Sequence, residues 1–529
     1  MRRPLFVVAA LAAFVLLRTH AGTAGVNPAC EQPHELDKYA LLKRLSLDLR
    51  NQVPSVEEYE ALEPLATVPD TVIESFLAGD GFRASMRRLH EDLLWPNVDN
   101  VRLAETNTFL GNGTPGQSMS GRQVLYRGVR DDTCDDVQQT QFDAAHPGEF
   151  RPVPVRVVSA KERHEGWRLV HPYWDPSSTV KVCAYDAQET LSVQVDGKTV
   201  ACNSIDGKRS PACGCGPNLR FCYAFPATAT NGVILDALRE QLGRLVDRAT
   251  SGKVPYTEIL LADDVEENGP IAFWRKNIAP SGANTATFNV PQAGEALANL
   301  AFTDATWHSM GRSQVHAGVL TLPGFLLRFQ TDRGRANRFR IAFQNRLFVP
   351  AAKLDPQPGC STDSPDLTKR CNCQYCHSTL EPLSLHFGNF AEAGSSQMDD
   401  LKVYPLQRPD CVGSNDPVCK RFYVTDADLP RPGYRLPYQF AGVHPEYVKA
   451  IADGPRGLAQ EAIADGSFAR ATVQNLWIRL VKRELRIDGD HTEDAALLDR
   501  LVKDFVDSNW NYPNLVKAIV STPQYRSTR

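Results

Sequence analysis

The chain has 529 residues, a formal net charge of −4 and a mean hydropathy of −0.32. This length implies several domains, each large enough to bury a core of its own. With 58 basic and 62 acidic residues in near balance, the composition argues against a nucleic-acid partner and predicts a mildly acidic surface.

The N-terminus has the pattern of a secretory signal peptide, which we place at residues 1–24. Two arginines precede an unbroken apolar run over 5–17, and small residues follow at Ala21 and Ala24, either of which suits a cleavage site. An uncleaved membrane anchor is the alternative, but thirteen apolar residues are few for a bilayer span. No later stretch is long and apolar enough to cross a membrane, so we expect an exported mature chain without a membrane span.

Residues 25–110 are predicted to form an N-terminal helical domain. Apolar residues recur at helical spacing over 36–51, and further helices are predicted over 71–77 and 82–94. Between them, Ser55 and Glu58 have the spacing of a capping box, in which each side chain bonds the backbone amide of the other residue.

Residues 111–230 are predicted to form a Cys-rich insert that contains β-structure. Short β-like runs cover 151–158, 180–185 and 191–195, separated by residues that favour turns. Five cysteines crowd residues 150–226: Cys183, Cys202, Cys213, Cys215 and Cys222. Disulfides are their expected state in an exported protein. A zinc site is the alternative, although the single residue between Cys213 and Cys215 suits zinc poorly.

Residues 231–400 are predicted to form a third domain, again helical. Apolar spacing predicts helices over 232–250 and 295–301, and a helix rich in arginine is predicted around 333–340. This domain contains the C-x-x-C-H sequence described below.

The remainder of the chain divides into a proline-rich connecting region, 401–467, and a C-terminal helical domain, 468–529. Apolar stripes predict three helices in the second of these, and Pro523 is expected to end the last one.

The sequence Cys373-Gln374-Tyr375-Cys376-His377 is the attachment motif of a c-type haem. Two thiols bond one edge of the porphyrin, and the adjacent His377 supplies the proximal iron ligand. C-x-x-C also serves redox and zinc chemistry, but the predicted export signal favours haem. Otherwise Cys373 and Cys376 would form a disulfide beside a surface histidine.

The sixth position on the haem iron determines which chemistry is open to it. A Met or His there gives a closed electron carrier, whereas an open site permits peroxide or oxygen chemistry. We rank Met398 and His316 level as distal candidates, followed by Met310. His386 lies nine residues after His377, too near on the same helix to reach the opposite haem face.

Other residues near the motif have candidate roles in holding the haem. The haem propionates need cationic donors, and four arginines could supply one, or could form a solvated helix face: Arg333, Arg335, Arg338 and Arg340. Four apolar residues are expected to wall the porphyrin or to belong to the core: Leu380, Leu383, Leu385 and Phe387.

Assigning Cys373 and Cys376 to the haem leaves eleven of the thirteen cysteines, an odd number. Cys371 could compete with Cys373 for Cys376. We expect instead a disulfide that braces the loop, and its candidate partners are Cys360, Cys411 and Cys419.

Several stretches together resemble the exported planctomycete-type and myxobacterial-type cytochrome c proteins, which are built of domains of unknown function around one C-x-x-C-H domain. The matching stretches are 44–49, 53–58, 255–260, 316–321, 325–326, 333–340, 373–377, 380–383, 387–394 and 475–526. The insert matches only loosely. The resemblance implies an exported haem c protein, and it implies no substrate.

Together these observations predict a mainly α, multi-domain protein: a helical cytochrome-c-type haem domain with a disulfide-rich β-containing insert. We expect one covalently attached haem c, a periplasmic or otherwise exported location, and one-electron transfer between periplasmic redox partners rather than an enzyme with its own substrate.

Two alternatives stand beside that expectation. One is a haem enzyme with an open iron site, such as a peroxidase, although diheme peroxidases of the cytochrome c type have two attachment motifs and this chain has one. The other is a binding or scaffold protein in polymer degradation with an accessory haem, in which the insert binds a glycan or a protein partner.

Overall fold

The structure is a computed structural model. It describes residues 34–98, 103, 108–111, 124–127, 138–139, 166–204, 207, 213–224, 227–279, 298–312, 316–347, 358–364, 366–390, 392, 394–395, 448–487 and 489–528. The predicted signal peptide, the β-like run over 151–158, Met398, and the cysteines at 411 and 419 lie outside these residues.

Helices make up most of the regular structure. The first four are α1 (Lys38–Arg50), α2 (Val56–Leu62), α3 (Asp70–Ala78) and α4 (Asp80–Leu94). The central helices are α5 (Asn231–Thr250), α6 (Glu258–Leu261), α7 (Gly269–Phe273), α8 (Pro323–Arg328), α9 (Asp332–Gln344) and α10 (Gln374–Leu385). The last helices are α11 (Val448–Ala464), α12 (Ser467–Val481), α13 (Thr492–Asp507), α14 (Tyr512–Val520) and α15 (Pro523–Arg526).

Local signals explain where the first helices begin and end. The Asp37 side chain accepts bonds from two backbone amides at the start of α1, and Asn51 ends that helix in the left-handed conformation. The predicted capping box is confirmed, because Ser55 and Glu58 each accept from the backbone amide of the other.

The strands are β1 (Leu110–Gly111), β2 (Val124–Arg127), β3 (Trp167–Val170), β4 (Val180–Cys183), β5 (Ser192–Val195), β6 (Lys198–Ala201), β7 (Asp264–Glu267) and β8 (His308–Gly311). The first four form one sheet in the order β1-β2-β4-β3, in which β2 and β4 are parallel and the other pairs antiparallel. β5 and β6 form a hairpin, and β7 pairs with β8. The mainly helical class with small sheets agrees with the sequence.

Disulfides brace the insert, as predicted. Two of them join Cys202 to Cys213 and Cys215 to Cys222, and Cys183 is also disulfide-bonded. These bonds occupy the thiolates that the alternative zinc site would need.

One hydrophobic core connects the helices of the N-terminal, central and C-terminal regions. Its buried residues include Leu45 of α1, Phe339 of α9, Phe387 after α10, and Trp477 of α12. The three predicted helical domains therefore pack against one another, while the domain boundaries stay predictions.

A buried histidine and a buried tyrosine lie at the centre of this shared core. His90 Nδ1 donates to the Met86 carbonyl at 2.7 Å, so its Nε2 accepts from the Tyr256 hydroxyl at 2.8 Å. The Tyr256 ring stacks on Phe468 of α12, with centroids 5.5 Å apart, and contacts Tyr512 of α14 at 4.7 Å. Tyr256 thus joins all three regions.

Two predictions about helices need correction. The helix predicted over 295–301 is wrong for its described residues, 298–301, which are irregular. The Ala301 carbonyl accepts a hydrogen bond from the Asp304 amide in a turn. The Asp304 carbonyl accepts from the Gly269 amide, and this second bond is a tertiary contact. Pro523 does not merely end a helix: α14 stops at Val520, and Pro523 begins α15.

In the part of the chain that the structure describes, every helix is too short or too polar to cross a bilayer. The location of the chain stays a prediction.

The buried His90 makes stability depend on pH. Burial lowers its pKa to about 4, against 6.5 for an ordinary histidine. Protonation therefore favours the unfolded chain, so the stability that depends on neutral His90 is complete above pH 6.5 and is lost as the pH falls towards 4. We expect a loss of about 3 kcal/mol over this range, measured as the shift in urea midpoint.

The variant His90→Gln should reduce this loss of stability between pH 6.5 and 4, whatever its effect on stability at neutral pH. His308→Gln is the control, since this histidine is partly exposed and its replacement should leave the loss unchanged. An unchanged loss in His90→Gln would contradict the role given to His90.

Candidate functional site around the C-x-x-C-H motif

The loop before the motif is closed by its own disulfide. Cys360 bonds Cys371, and a short bridge pairs Ser361 with Arg370 beside it. This confirms the predicted bracing disulfide and identifies Cys360 as the partner of Cys371, so Cys371 does not compete for Cys376.

Cys373 and Cys376 are both free thiols, and both are partly exposed. Every other cysteine in the described part of the chain is disulfide-bonded: Cys183, Cys202, Cys213, Cys215, Cys222, Cys360 and Cys371. The fold thus leaves the two motif thiols available for another reaction.

Cys373 stands at the start of α10, and Cys376 lies in its first turn. Leu380 and Leu383 follow Cys376 at intervals of four and three residues, which places them on the same helix face. All four side chains are half-buried. This face therefore carries two thiols and two leucines, and the leucines also pack against the main hydrophobic core. Leu385 and Phe387, in contrast, are fully buried in the protein.

The ring of His377 is held by a carboxylate one helical turn later. Nδ1 of His377 bonds Oε1 of Glu381, a residue that is only 2 % exposed. Nδ1–H donates to the carboxylate, so Nε2 carries the ring's lone pair. Nε2 has no hydrogen-bond partner among the described residues and is the ring atom able to ligate a metal.

α9 packs antiparallel against α10 and supplies positive charge to it. Near its start, Arg333 Nε donates to Glu381 Oε1 at 2.7 Å, the same oxygen that binds His377. Near its end, Arg340 interacts electrostatically with Cys376. Burial, aided by the neighbouring charge of Arg346, lowers the pKa of Arg340 from its ordinary value.

The predicted alternative of a solvated arginine face is wrong for three of the four arginines of α9. Arg335 is fully buried, Arg338 is 5 % exposed and Arg340 is 9 % exposed. Arg338 donates to the Leu93 carbonyl at 2.9 Å and stacks over Trp95, so it points towards α4 rather than α10. Arg333 and Arg340 remain as the arginines directed towards the motif helix.

Arg335 ties the segment after the motif to α8 and α9. Its guanidinium pairs with Asp332 at 2.9 Å, and both side chains are almost completely buried. It also donates to the backbone carbonyls of Leu326, Phe329, Phe390 and Gly394. With its donors used in this way, Arg335 serves the fold and is not a candidate for binding propionates.

The distal candidates are placed as follows. His316 is buried, with its ring edge-to-face against Phe390 at 5.8 Å. Met310 lies in β8 opposite Val265 and packs against the main core. Met398 lies outside the described residues. The sixth ligand therefore stays a prediction.

His386 has a structural contact at the end of α10. Its Nδ1 donates to the Gly454 carbonyl at 2.9 Å, where α11 is kinked, and burial lowers its pKa. Asn389 adds a bond to the Ile451 carbonyl at 2.7 Å. These two bonds fix the C-terminal end of the motif helix against α11.

Sequence reasoning missed the role of Glu381. The signal was present, because a carboxylate four residues after a histidine on one helix lies beside it. The contribution of Arg333 could not be read in the same way, since it comes from another helix 48 residues away in sequence.

Among the described residues, no group of three or more His, Cys, Asp and Glu side chains is arranged to hold a metal ion. No protein-family model matches the chain, and neither the curated proteins nor the solved structures give a match.

Replacing the buried Arg335 should destabilise the fold strongly. Arg335→Met leaves the buried Asp332 carboxyl without its partner and four carbonyls without their donor, so we expect a loss of about 3–5 kcal/mol in the free energy of unfolding. Arg328→Gln is the control: its contact is exposed, and about 0.5 kcal/mol is expected. Chemical denaturation of both variants tests this, and similar losses would contradict it.

Proposed function

We propose that this chain is an exported c-type cytochrome with one covalently attached haem. The observation that carries the proposal is the state of the described cysteines: all are disulfide-bonded except Cys373 and Cys376. Two free thiols three residues apart on a helix, followed at once by a histidine, are what haem attachment requires.

The surroundings of the motif fit a haem. Cys373 and Cys376 would hold the macrocycle through thioether bonds, and Leu380 and Leu383 extend their helix face with apolar surface. His377 would bind the iron through Nε2, because Glu381 already holds Nδ1. Arg340, near Cys376, and Arg333 are the cations that a propionate could meet.

When bound, the haem supplies a one-electron iron couple. The residues of this chain would orient that iron and set its charge environment. The role we propose is one-electron transfer between periplasmic redox partners. Export is supported by the disulfides and by the predicted signal peptide.

A haem enzyme with an open, peroxidase-like site is the second candidate, and one observation favours it. The two described distal candidates pack inside the protein: the buried His316 ring lies edge-to-face against Phe390, and Met310, in β8, packs against the main core. If neither reaches the iron, and Met398 does not, the sixth position is open to small molecules.

The attachment proposal predicts the effect of removing the thiols. The double variant Cys373→Ser/Cys376→Ser, exported by cells that mature c-type cytochromes, should retain no haem after denaturing electrophoresis. Each single variant should retain much less than the natural chain.

The matched control removes another cysteine pair. Cys202→Ser/Cys213→Ser lacks a disulfide of the insert, and should keep its haem even if it is less stable. Covalent haem on the motif double variant, or its absence from the natural chain after export, would refute the proposal.

Optical spectra with carbon monoxide distinguish the two roles. A low-spin spectrum that carbon monoxide leaves unchanged indicates six-coordinate iron and supports electron transfer. A high-spin ferric spectrum, with a ferrous form that binds carbon monoxide, indicates an open site and supports the enzyme.

A further inference from the structure

Glu381 and Arg333 hold opposite charges next to the ring of His377, and the Glu381 carboxylate is buried. Glu381 is 2 % exposed, and its Oε1 accepts from both His377 Nδ1 and Arg333 Nε. The other carboxylate oxygen, Oε2, is buried with no partner among the described residues. Among the described residues, the hydrogen bonds to the carboxylate therefore converge on Oε1, the oxygen that bonds His377.

A buried carboxylate has a specific effect on an imidazole that ligates iron. Accepting the Nδ1–H bond increases the electron density on the ring and makes Nε2 a stronger donor. A stronger donor stabilises ferric over ferrous iron, because the higher charge gains more from it. The reduction potential of a haem responds to hydrogen bonding of this kind around its axial ligand.

Arg333 acts against that effect. Its guanidinium donates to the same oxygen at 2.7 Å and so draws charge away from the bond with His377. The two residues thus form a pair of opposing influences on one ligand.

We propose that Glu381 and Arg333 are positioning residues that set the reduction potential of the haem in opposite directions, Glu381 lowering it and Arg333 raising it. This inference rests on the proposed haem attachment, and it deepens it by naming the residues that tune the iron.

The test is a spectroelectrochemical titration of the full exported chain and four variants. Glu381→Gln keeps an acceptor oxygen and removes the charge. We expect it to favour the ferrous form at least tenfold, which for one electron is a rise of about 59 mV. Arg333→Gln should move the potential the other way, because the carboxylate then loses its counter-charge.

Two further variants make the result specific. Arg338→Gln removes the same charge from the same helix, but its side chain binds the Leu93 carbonyl and Trp95, so the equilibrium should change less than twofold. In the double variant Glu381→Gln/Arg333→Gln, the effect of removing Arg333 should largely vanish, because Arg333 acts through Glu381.

Several outcomes would overturn the inference. Shifts of the same sign in Glu381→Gln and Arg333→Gln would mean that the pair only stabilises the helix contact. A change below twofold in Glu381→Gln would show that the carboxylate does not tune the iron. If Glu381→Gln does not fold, the direction of the shift in Arg333→Gln decides the question. A higher or an unchanged reduction potential in Arg333→Gln then overturns the inference. Absence of covalent haem from the natural chain refutes instead the attachment proposal.

Discussion

The contact between α9 and α10 is the constraint on which the proposed site depends. An isolated twelve-residue helix is marginal in water, so α10 needs its neighbours to hold the motif in a helical conformation. α9 lies antiparallel along it, with Arg333 at Glu381 and Arg340 near Cys376. Arg335, on the same helix, secures the segment after α10 through two of its carbonyls. One basic helix thus serves both the fold and the site.

The sequence was sufficient where the cause is local. The capping box at Ser55 and Glu58, the apolar stripe of α5 and the motif at Cys373 all depend on residues a few positions apart, and they could be predicted. The fully buried state of Arg335 could not, because two of its five partners are carbonyls 55 and 59 residues away, which only the tertiary fold brings within reach. The helix predicted over 295–301 is irregular at 298–301, where the Ala301 carbonyl accepts from the amide of Asp304 and the Asp304 carbonyl accepts from Gly269.

The candidate site also divides into features with a local cause and features that depend on tertiary packing. Motif spacing alone identified Cys373, Cys376 and His377, and the bracing partner of Cys371 was one of three alternatives until the fold selected Cys360. The Glu381 contact was within reach of sequence reasoning, whereas its link to Arg333 needed the packing of two helices. The proposed distal ligand depends on tertiary contacts, and no local pattern specifies those.

The proposed function requires covalent haem at Cys373 and Cys376. The intact mass of the exported protein under denaturing conditions tests this most directly. The account predicts a mass larger than that of the processed chain by one haem, and peptide mapping should place the addition on 373–377. The mass of the unmodified chain, or one that fits a disulfide between these two cysteines, would contradict it.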